Sequence, residues 1–177
     1  EGVGFVDANK AFLEILGENE TISSYLKDYD SNNIYVGTSQ DDTIKAYFED
    51  NLIVTGTGNN TIVTGAGDDI VFAHNGANDI NLGLGNDTVS YELSQGAIFA
   101  SLESNKSSKE DTFEGVENLH GSKLNDILEG NAQNNTLFGS DGDDILIGLD
   151  GADVLDGGKG VDLASYETSS AVEINLK

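Results

Sequence analysis

Aspartate and asparagine residues recur at intervals of nine residues along most of the chain. Each stands two positions before an aliphatic residue, as Asp69 precedes Val71 and Asp126 precedes Leu128. Carboxylate and amide oxygens, together with backbone carbonyls, are hard ligands of the kind that bind Ca²⁺. Pairs of carboxylates arise by accident in so acidic a chain, so they are weak evidence for a catalytic centre. The pattern therefore predicts rows of cation sites.

The composition supports cation binding and excludes several other functions. The 177 residues include 32 acidic and 8 basic residues, all lysine, for a net charge of −24. Nucleic-acid binding needs clusters of Lys and Arg, which this chain lacks. The absence of Cys excludes thiolate zinc sites, and His74 and His120 do not occupy matching repeat positions. We expect both histidines to face solvent. Binding of Mg²⁺ is disfavoured because this ion retains its water ligands.

The nine-residue unit predicts a tight turn followed by a very short strand. Six residues rich in Gly, Asp and Asn favour a turn, and three residues with a central aliphatic side chain suffice for a strand. Two units then make one coil, and stacked coils bury the central residues between two parallel sheets. Carboxylates of neighbouring coils would lie roughly 5 Å apart at strand spacing. They would repel each other unless a cation lay between them.

Two series of repeats predict an all-β fold of two stacked parallel β-roll blocks. The central residues keep phase from Ile44 to Val89 and again from Leu119 to Leu155, but Val89 and Leu119 are thirty residues apart. The predicted divisions are an N-terminal helical cap at 1–36, a first block at 37–90, a hairpin or linker at 91–118, a second block at 119–165, and the start of another linker at 166–177. A Ser-Tyr-Glu segment occurs after both blocks, which predicts a tandem array from a longer protein.

The non-repeating segments are predicted to cover apolar surfaces. Ala8, Phe12, Ile15 and Leu16 lie near one face of a predicted helix, which would cap the first block. Its predicted contact is one outer sheet face, formed by Leu52, Val54, Ile70 and Phe72. Residues 91–105 alternate around Gly96 and predict an intervening β-hairpin. We expect that hairpin to pack on an outer patch formed by Ile127, Ile145, Ile147 and Leu163.

Three segments carry a resemblance to a known family: GSDGDDILI, GLDGADVLD and GGKGVDLAS. They resemble the G-G-x-G-x-D-x-U-x nonapeptide of RTX (repeats-in-toxin) proteins. The resemblance covers about 37–90 and 119–165. The chain also resembles the RTX blocks of adenylate-cyclase toxins and haemolysins. It implies a parallel β-roll in which each Ca²⁺ lies between loops eighteen residues apart. The earlier loop would provide the backbone carbonyls of its second and fourth residues, and the later loop those of its first and third residues. Each loop would also provide the side chain of its sixth residue.

Carried over to this chain, the family pattern implies several Ca²⁺ ions. In the second block, one site would use Ser122, Leu124 and Asp126 with Gly139, Asp141 and Asp144. A second would use Ser140, Gly142 and Asp144 with Gly157, Lys159 and Asp162, and on the opposite edge Asn131, Gln133 and Asn135 would face Gly148, Asp150 and Asp153. In the first block, the sites would join Gly65, Gly67 and Asp69 with Leu82, Leu84 and Asp87, and Thr38, Gln40 and Asp42 with Thr55, Thr57 and Asn60.

Departures from the family pattern are concentrated in the first block. Asn51, Asn60 and Asn78 replace the sixth-position carboxylate, and Glu49 replaces a glycine. The pair of loops carrying Asn60 and Asn78 offers no carboxylate at all. We therefore expect weak or empty sites there and tighter sites in the second block.

The resemblance implies a calcium-binding structural module of a secreted, extracellular bacterial protein. Such a module would cross a type I secretion system unfolded, because its charge of −24 opposes compaction, and would fold when it meets Ca²⁺ outside the cell. Its implied partners are calcium ions, the secretion machinery and, through the parent protein, a host-surface or glycan target. We expect a monomeric, non-catalytic fragment. The alternative is an adhesive or carbohydrate-contacting roll from an adhesin or a polysaccharide-modifying enzyme.

Overall fold

The computed structural model describes residues 33–166, which form a parallel β-solenoid of about seven turns. Every strand has only two or three residues, as the nine-residue period predicts. In chain order the strands are β1 (Ile34–Val36), β2 (Thr43–Lys45), β3 (Leu52–Val54), β4 (Thr61–Val63), β5 (Ile70–Phe72), β6 (Asp79–Asn81), β7 (Thr88–Ser90), β8 (Phe99–Ser101), β9 (Lys106–Ser107), β10 (Thr112–Glu114), β11 (Asn118–His120), β12 (Ile127–Glu129), β13 (Thr136–Phe138), β14 (Ile145–Ile147), β15 (Val154–Asp156) and β16 (Leu163–Ser165).

The strands form two sheets that run the length of the roll. The seven-stranded sheet has the order β1-β3-β5-β7-β11-β13-β15, and the nine-stranded sheet has the order β16-β14-β12-β8-β9-β10-β6-β4-β2. Within each block, strands two units apart pair in parallel, as Ile53 opposite Val71 shows. The seven-stranded sheet also crosses the junction between the blocks, where Val89 lies opposite Leu119. The prediction of stacked parallel β-roll blocks is confirmed.

The core is a row of central strand residues that point between the two sheets. Ile53, Ile62, Val71 and Leu128 are each completely buried in one contiguous cluster. A three-residue strand offers only one such side chain, so each coil obtains its burial from the coils on either side. Polar residues occupy the loops between strands, which leaves the oxygen-rich turns stacked along the two edges of the roll.

The segment between the blocks extends the nine-stranded sheet. Strand β10 pairs in parallel with β6, β9 pairs antiparallel with both β10 and β8, and β8 pairs in parallel with β12. The hairpin joins β8 to β9, so its turn follows Ser101 and does not fall at Gly96. The expected packing of this hairpin over the outer patch is wrong, since Ile127 and Leu163 remain 37% and 59% exposed. Its backbone completes the sheet between the two blocks.

The two Ser-Tyr segments follow strands of different sheets. Strand β7 ends at Ser90, just before Tyr91, and belongs to the seven-stranded sheet. Strand β16 ends at Ser165, just before Tyr166, and belongs to the nine-stranded sheet. The second block therefore ends half a coil out of step with the first.

The predicted apolar outer face of the first block is present. Leu52, Val54 and Phe72 are fully buried and pack with Ile34, while Ile70 is partly buried against them. The helix predicted to cap this face lies in residues 1–32, outside the described residues, as does the segment 167–177. Within residues 33–166, no helix is long and apolar enough to cross a membrane.

Stacking of the loops requires glycine at Gly142, which stands in the fourth repeat position. Gly142 has φ +133°, and a Cβ there would lie 2.7 Å from the carbonyl carbon of Leu124. We expect Gly142→Ala to destabilise the roll by about 1–3 kcal/mol, because it combines backbone strain with a clash against backbone. Urea denaturation with Ca²⁺ present measures this loss.

Gly96→Ala is the matched control for that substitution. A Cβ at Gly96 would meet only the Lys109 Nζ at 3.6 Å, within ordinary contact distance. An equal loss of stability in both variants would show that loop stacking does not cause the effect.

Candidate metal centres

The sixth-position side chains line up along the two edges of the roll. We name these edges by the sheet that their loops enter. Edge one enters the seven-stranded sheet and carries Asn51, Asp69, Asp87, Glu117, Asn135 and Asp153; edge two enters the nine-stranded sheet and carries Asp42, Asn60, Asn78, Asp111, Asp126, Asp144 and Asp162. Where the strands pair in parallel register, each of these side chains lies beside its counterpart in the next coil, whereas β9 and β8 separate Asp111 from Asp126.

A ladder of hydrogen bonds fixes one oxygen of each carboxylate. The Asp69 N–H donates to the Asp87 Oδ1 at 2.8 Å on edge one. On edge two, the Asp126 N–H donates to the Asp144 Oδ1 at 2.7 Å, and the Asp144 N–H donates to the Asp162 Oδ1 at 3.0 Å. Because a backbone N–H holds one oxygen, the orientation of the carboxylate is fixed, and its second oxygen keeps one position within the stacked loops.

At three positions, that second oxygen is buried without a hydrogen-bond partner. These atoms are the Oδ2 of Asp69, Asp87 and Asp144. Burial raises the pKa of the Asp87 carboxyl to about 7 and also raises the pKa of Asp69 and of Asp144. A buried carboxylate oxygen with no donor is costly, and a cation would satisfy it. The carboxylates thus fit the ion that the sequence predicts.

Backbone carbonyls must supply the remaining ligands. In residues 33–166, no three carboxylate or imidazole side chains converge on one point. Glycine keeps space open above the fourth-position carbonyls: a Cβ at Gly85 would strike the Gly67 oxygen, and one at Gly160 would strike the Gly142 oxygen. Two carboxylates with several carbonyls form a donor set suited to Ca²⁺. Mg²⁺ instead retains several water ligands, and Zn²⁺ prefers Cys and His side chains.

A family model described as the RTX calcium-binding nonapeptide repeat (4 copies) matches this chain. The matched residues are 29–62, 54–89, 111–144, 120–155 and 129–164, which together exceed half of the chain. The chain belongs to the RTX calcium-binding nonapeptide repeat family. A search of curated proteins found no significant match.

The structure brings together the loops that were predicted to share an ion in this RTX roll. In the first block, the Leu84 N–H donates to the Gly65 carbonyl at 2.9 Å, and the Gly67 N–H donates to the Leu84 carbonyl at 3.1 Å. In the second block, the Lys159 N–H donates to the Ser140 carbonyl at 2.8 Å. A carbonyl oxygen with one such bond keeps a second lone pair for a cation.

Some predicted sites hold their carboxylate oxygens differently. The Asp42 Oδ2 accepts a hydrogen bond from the Thr38 N–H at 2.6 Å, and the Asp126 Oδ2 accepts one from the Ser122 N–H. A cation there would share or replace that donor. On edge one of the second block, the Asn135 N–H donates to the Asp153 Oδ1 at 2.9 Å, so the predicted pair of loops is again adjacent.

Two acidic residues of the RTX edges were missed by the sequence prediction. The Asp87 N–H donates to the Glu117 Oε2 at 2.9 Å, which places Glu117 in the sixth position of edge one. Asp111 holds the same position on edge two, where its Oδ1 accepts from the Asn78 N–H at 2.9 Å. A signal for both was present, because each stands two residues before the centre of a strand.

The expectation that both histidines face solvent is wrong for His120. Its side chain lies edge-on to Phe138, with ring centroids 4.5 Å apart, and the residue is only 8% exposed. Burial lowers the pKa of His120 to about 4. His74 is half-buried, and burial also lowers its pKa. Neither histidine lies among the stacked carboxylates of the two edges.

Proposed function

We propose that this chain is the calcium-binding structural module of a secreted bacterial RTX protein, unfolded during type I export and folded by Ca²⁺ outside the cell. The observation that carries the proposal is the set of buried, unpartnered carboxylate oxygens on Asp69, Asp87 and Asp144. Without a cation, these oxygens and the net charge of −24 oppose the folded state. With Ca²⁺ bound between the loops, the same groups hold neighbouring coils together.

Bound ions can supply a large part of the folding free energy. At a Ca²⁺ concentration ten to a hundred times the dissociation constant, each site adds roughly 1.4–2.7 kcal/mol. Among the sites predicted from the sequence, those that offer two carboxylates are Asp69 with Asp87, Asp126 with Asp144, and Asp144 with Asp162. Three such ions together approach the roughly 5–15 kcal/mol stability of a whole small domain.

The setting of the module is part of the same proposal. We place it outside the bacterial cell, as a monomeric and non-catalytic part of a larger secreted protein. Absence of Cys suits passage from a reducing to an oxidising compartment, and absence of Pro avoids slow isomerisation during folding. The parent protein would determine any host-surface or glycan target.

An adhesive or carbohydrate-contacting role is not supported by Phe72 and Phe138, the two aromatic residues that the sequence most evidently offers for it. Such a role would be supported by a row of exposed aromatic side chains on one outer face. Phe72 is fully buried and Phe138 is half-buried against His120, whereas Tyr47 and Phe48 are exposed.

Far-ultraviolet circular dichroism during a Ca²⁺ titration tests the proposal. We expect a cooperative transition from coil to β-structure when Ca²⁺ is added to the chelated 177-residue chain, and no transition with equimolar Mg²⁺. A spectrum already rich in β-structure in chelator, and unchanged by Ca²⁺, would contradict it.

A further inference from the structure

Asparagine amides take the position of an ion in the first block. On edge two, the Asn60 Nδ2 donates to the Gly58 carbonyl at 3.0 Å and to the Asn78 Oδ1 at 2.8 Å. Both acceptors occupy positions that the RTX pattern assigns to ligands of one ion. An amide nitrogen is a donor and cannot coordinate a cation. The Asn60–Asn78 pair therefore does not fit Ca²⁺. The Asn60 side chain itself satisfies the oxygens that the ion would have bound.

The same arrangement continues into the segment between the blocks (residues 91–118), which we call the insert, and ends there. The Asn78 Nδ2 donates to the Asp111 Oδ1 at 2.8 Å, beside the bond from the Asn78 N–H. The other oxygen of Asp111 accepts hydrogen bonds from the Tyr91 hydroxyl and the Ser107 hydroxyl, both at 2.7 Å. Asn60, Asn78 and Asp111 are each at most 1% exposed.

This series of contacts contrasts with the calcium sites a few residues away. The Oδ2 atoms of Asp69, Asp87 and Asp144 have no donor, whereas both oxygens of Asp111 are satisfied. Asn51 repeats the amide arrangement on edge one, where its Nδ2 donates to the Glu49 carbonyl at 2.7 Å. A buried polar network stabilises when every member is satisfied and destabilises when one is not.

We propose that the polar seam Asn60–Asn78–Asp111, closed by Tyr91 and Ser107, joins the first block to the insert without calcium. It leaves residual local structure at this junction in chelator, on which the rest of the module assembles cooperatively when Ca²⁺ binds. This inference rests on the proposed calcium-dependent folding of the module. The Tyr91 and Ser107 hydroxyls of the insert therefore satisfy the last carboxylate oxygen of the seam. Without them, that oxygen would need a further loop and an ion.

Hydrogen exchange of the full 177-residue chain in chelator tests the seam. We expect the amides of Asn60, Asn78 and Thr112 to exchange at least about tenfold more slowly than those of Ile127 and Ile145. With Ca²⁺, all five should be protected. If the first three exchange in chelator as fast as the last two, the seam is not independent of calcium and the inference fails. If all five are equally protected in chelator, the proposed calcium-driven folding fails instead.

The double variant Asn60→Asp with Asn78→Asp converts the seam into a carboxylate pair. We expect the protection of the Asn78 and Thr112 amides in chelator to fall at least about tenfold, and millimolar Ca²⁺ to restore it with at least one additional ion bound by calorimetry. Asn59→Asp is the matched control: it adds a charge to the same loop, and its exposed Oδ1 keeps the bond from the Ala77 N–H. Unchanged protection in the double variant, or an equal loss in the control, would overturn the inference.

Discussion

Replacing Asp144 with asparagine should destabilise the calcium-bound roll and stabilise the calcium-free one. Asp144 belongs to two candidate sites, because its Oδ1 accepts from the Asp126 N–H and its own N–H donates to Asp162. Loss of the carboxylate from both sites removes two ions, which costs roughly 3–5 kcal/mol at ten to a hundred times the dissociation constant. In chelator the effect reverses, because the substitution removes an unsatisfied buried oxygen whose carboxyl has a raised pKa.

Urea denaturation in millimolar Ca²⁺ measures the first half of this prediction, and the amount of β-structure seen by circular dichroism in chelator, expected to be larger in the variant, measures the second. Calorimetry should find two fewer ions in Asp144→Asn. The control is Asp143→Asn, because the exposed Oδ1 of Asp143 accepts from the Val161 N–H at 2.9 Å and asparagine keeps that acceptor. An Asp144→Asn variant that loses stability in Ca²⁺ and also loses β-structure in chelator would show that Asp144 acts only through its hydrogen bonds.

Lowering the pH through 7 should stabilise the calcium-free roll and weaken its affinity for Ca²⁺. Burial raises the pKa of Asp87 in the folded chain to about 7, from an ordinary value of 3.8. Between those two values the folded state binds a proton that the unfolded state does not, so stability rises as the pH falls. The ionised carboxylate opposes folding fully above pH about 7. This penalty is relieved as the pH falls towards 4.

Proton binding and calcium binding compete for the same oxygen. Below pH about 7, the ion at the Asp69–Asp87 site must displace a proton, so its affinity should fall by up to about tenfold for each pH unit. Calcium titrations at pH about 8 and about 6, with circular dichroism in chelator at the same values, measure both effects. Asp87→Asn should remove the part of each effect that depends on this carboxyl. Equal calcium midpoints at both pH values would contradict the assignment.

The nine-residue period was sufficient to predict most strands, because each central residue must point into the core and each loop must lie on an edge. Ile62 and Leu128 lie in the core as predicted for that reason. The period could not predict the junction between the blocks, where β10 pairs with β6 at an offset of thirty-three residues. Asp111 and Glu117 were missed because they stand in this irregular segment, although their position relative to a strand centre is regular.

Burial of individual outer residues depends on neighbours that the repeat does not specify. His120 follows the inward Leu119 and was therefore predicted to face solvent, but the parallel register places Phe138 beside it. The ligand pattern correctly identified which loops are adjacent. It could not show whether an asparagine leaves a gap or fills it, because that depends on the direction of an amide group. The Asn60 amide fills the position.

The half-coil offset between the two blocks has a consequence for any longer array built on this plan. Strand β7 and strand β16 precede equivalent Ser-Tyr segments but lie in opposite sheets. An insert that followed β16 as the first insert follows β7 would enter the seven-stranded sheet. Successive inserts would then lie alternately on opposite sides of the long axis of the roll. Any surface that an insert carries would be displayed in two directions.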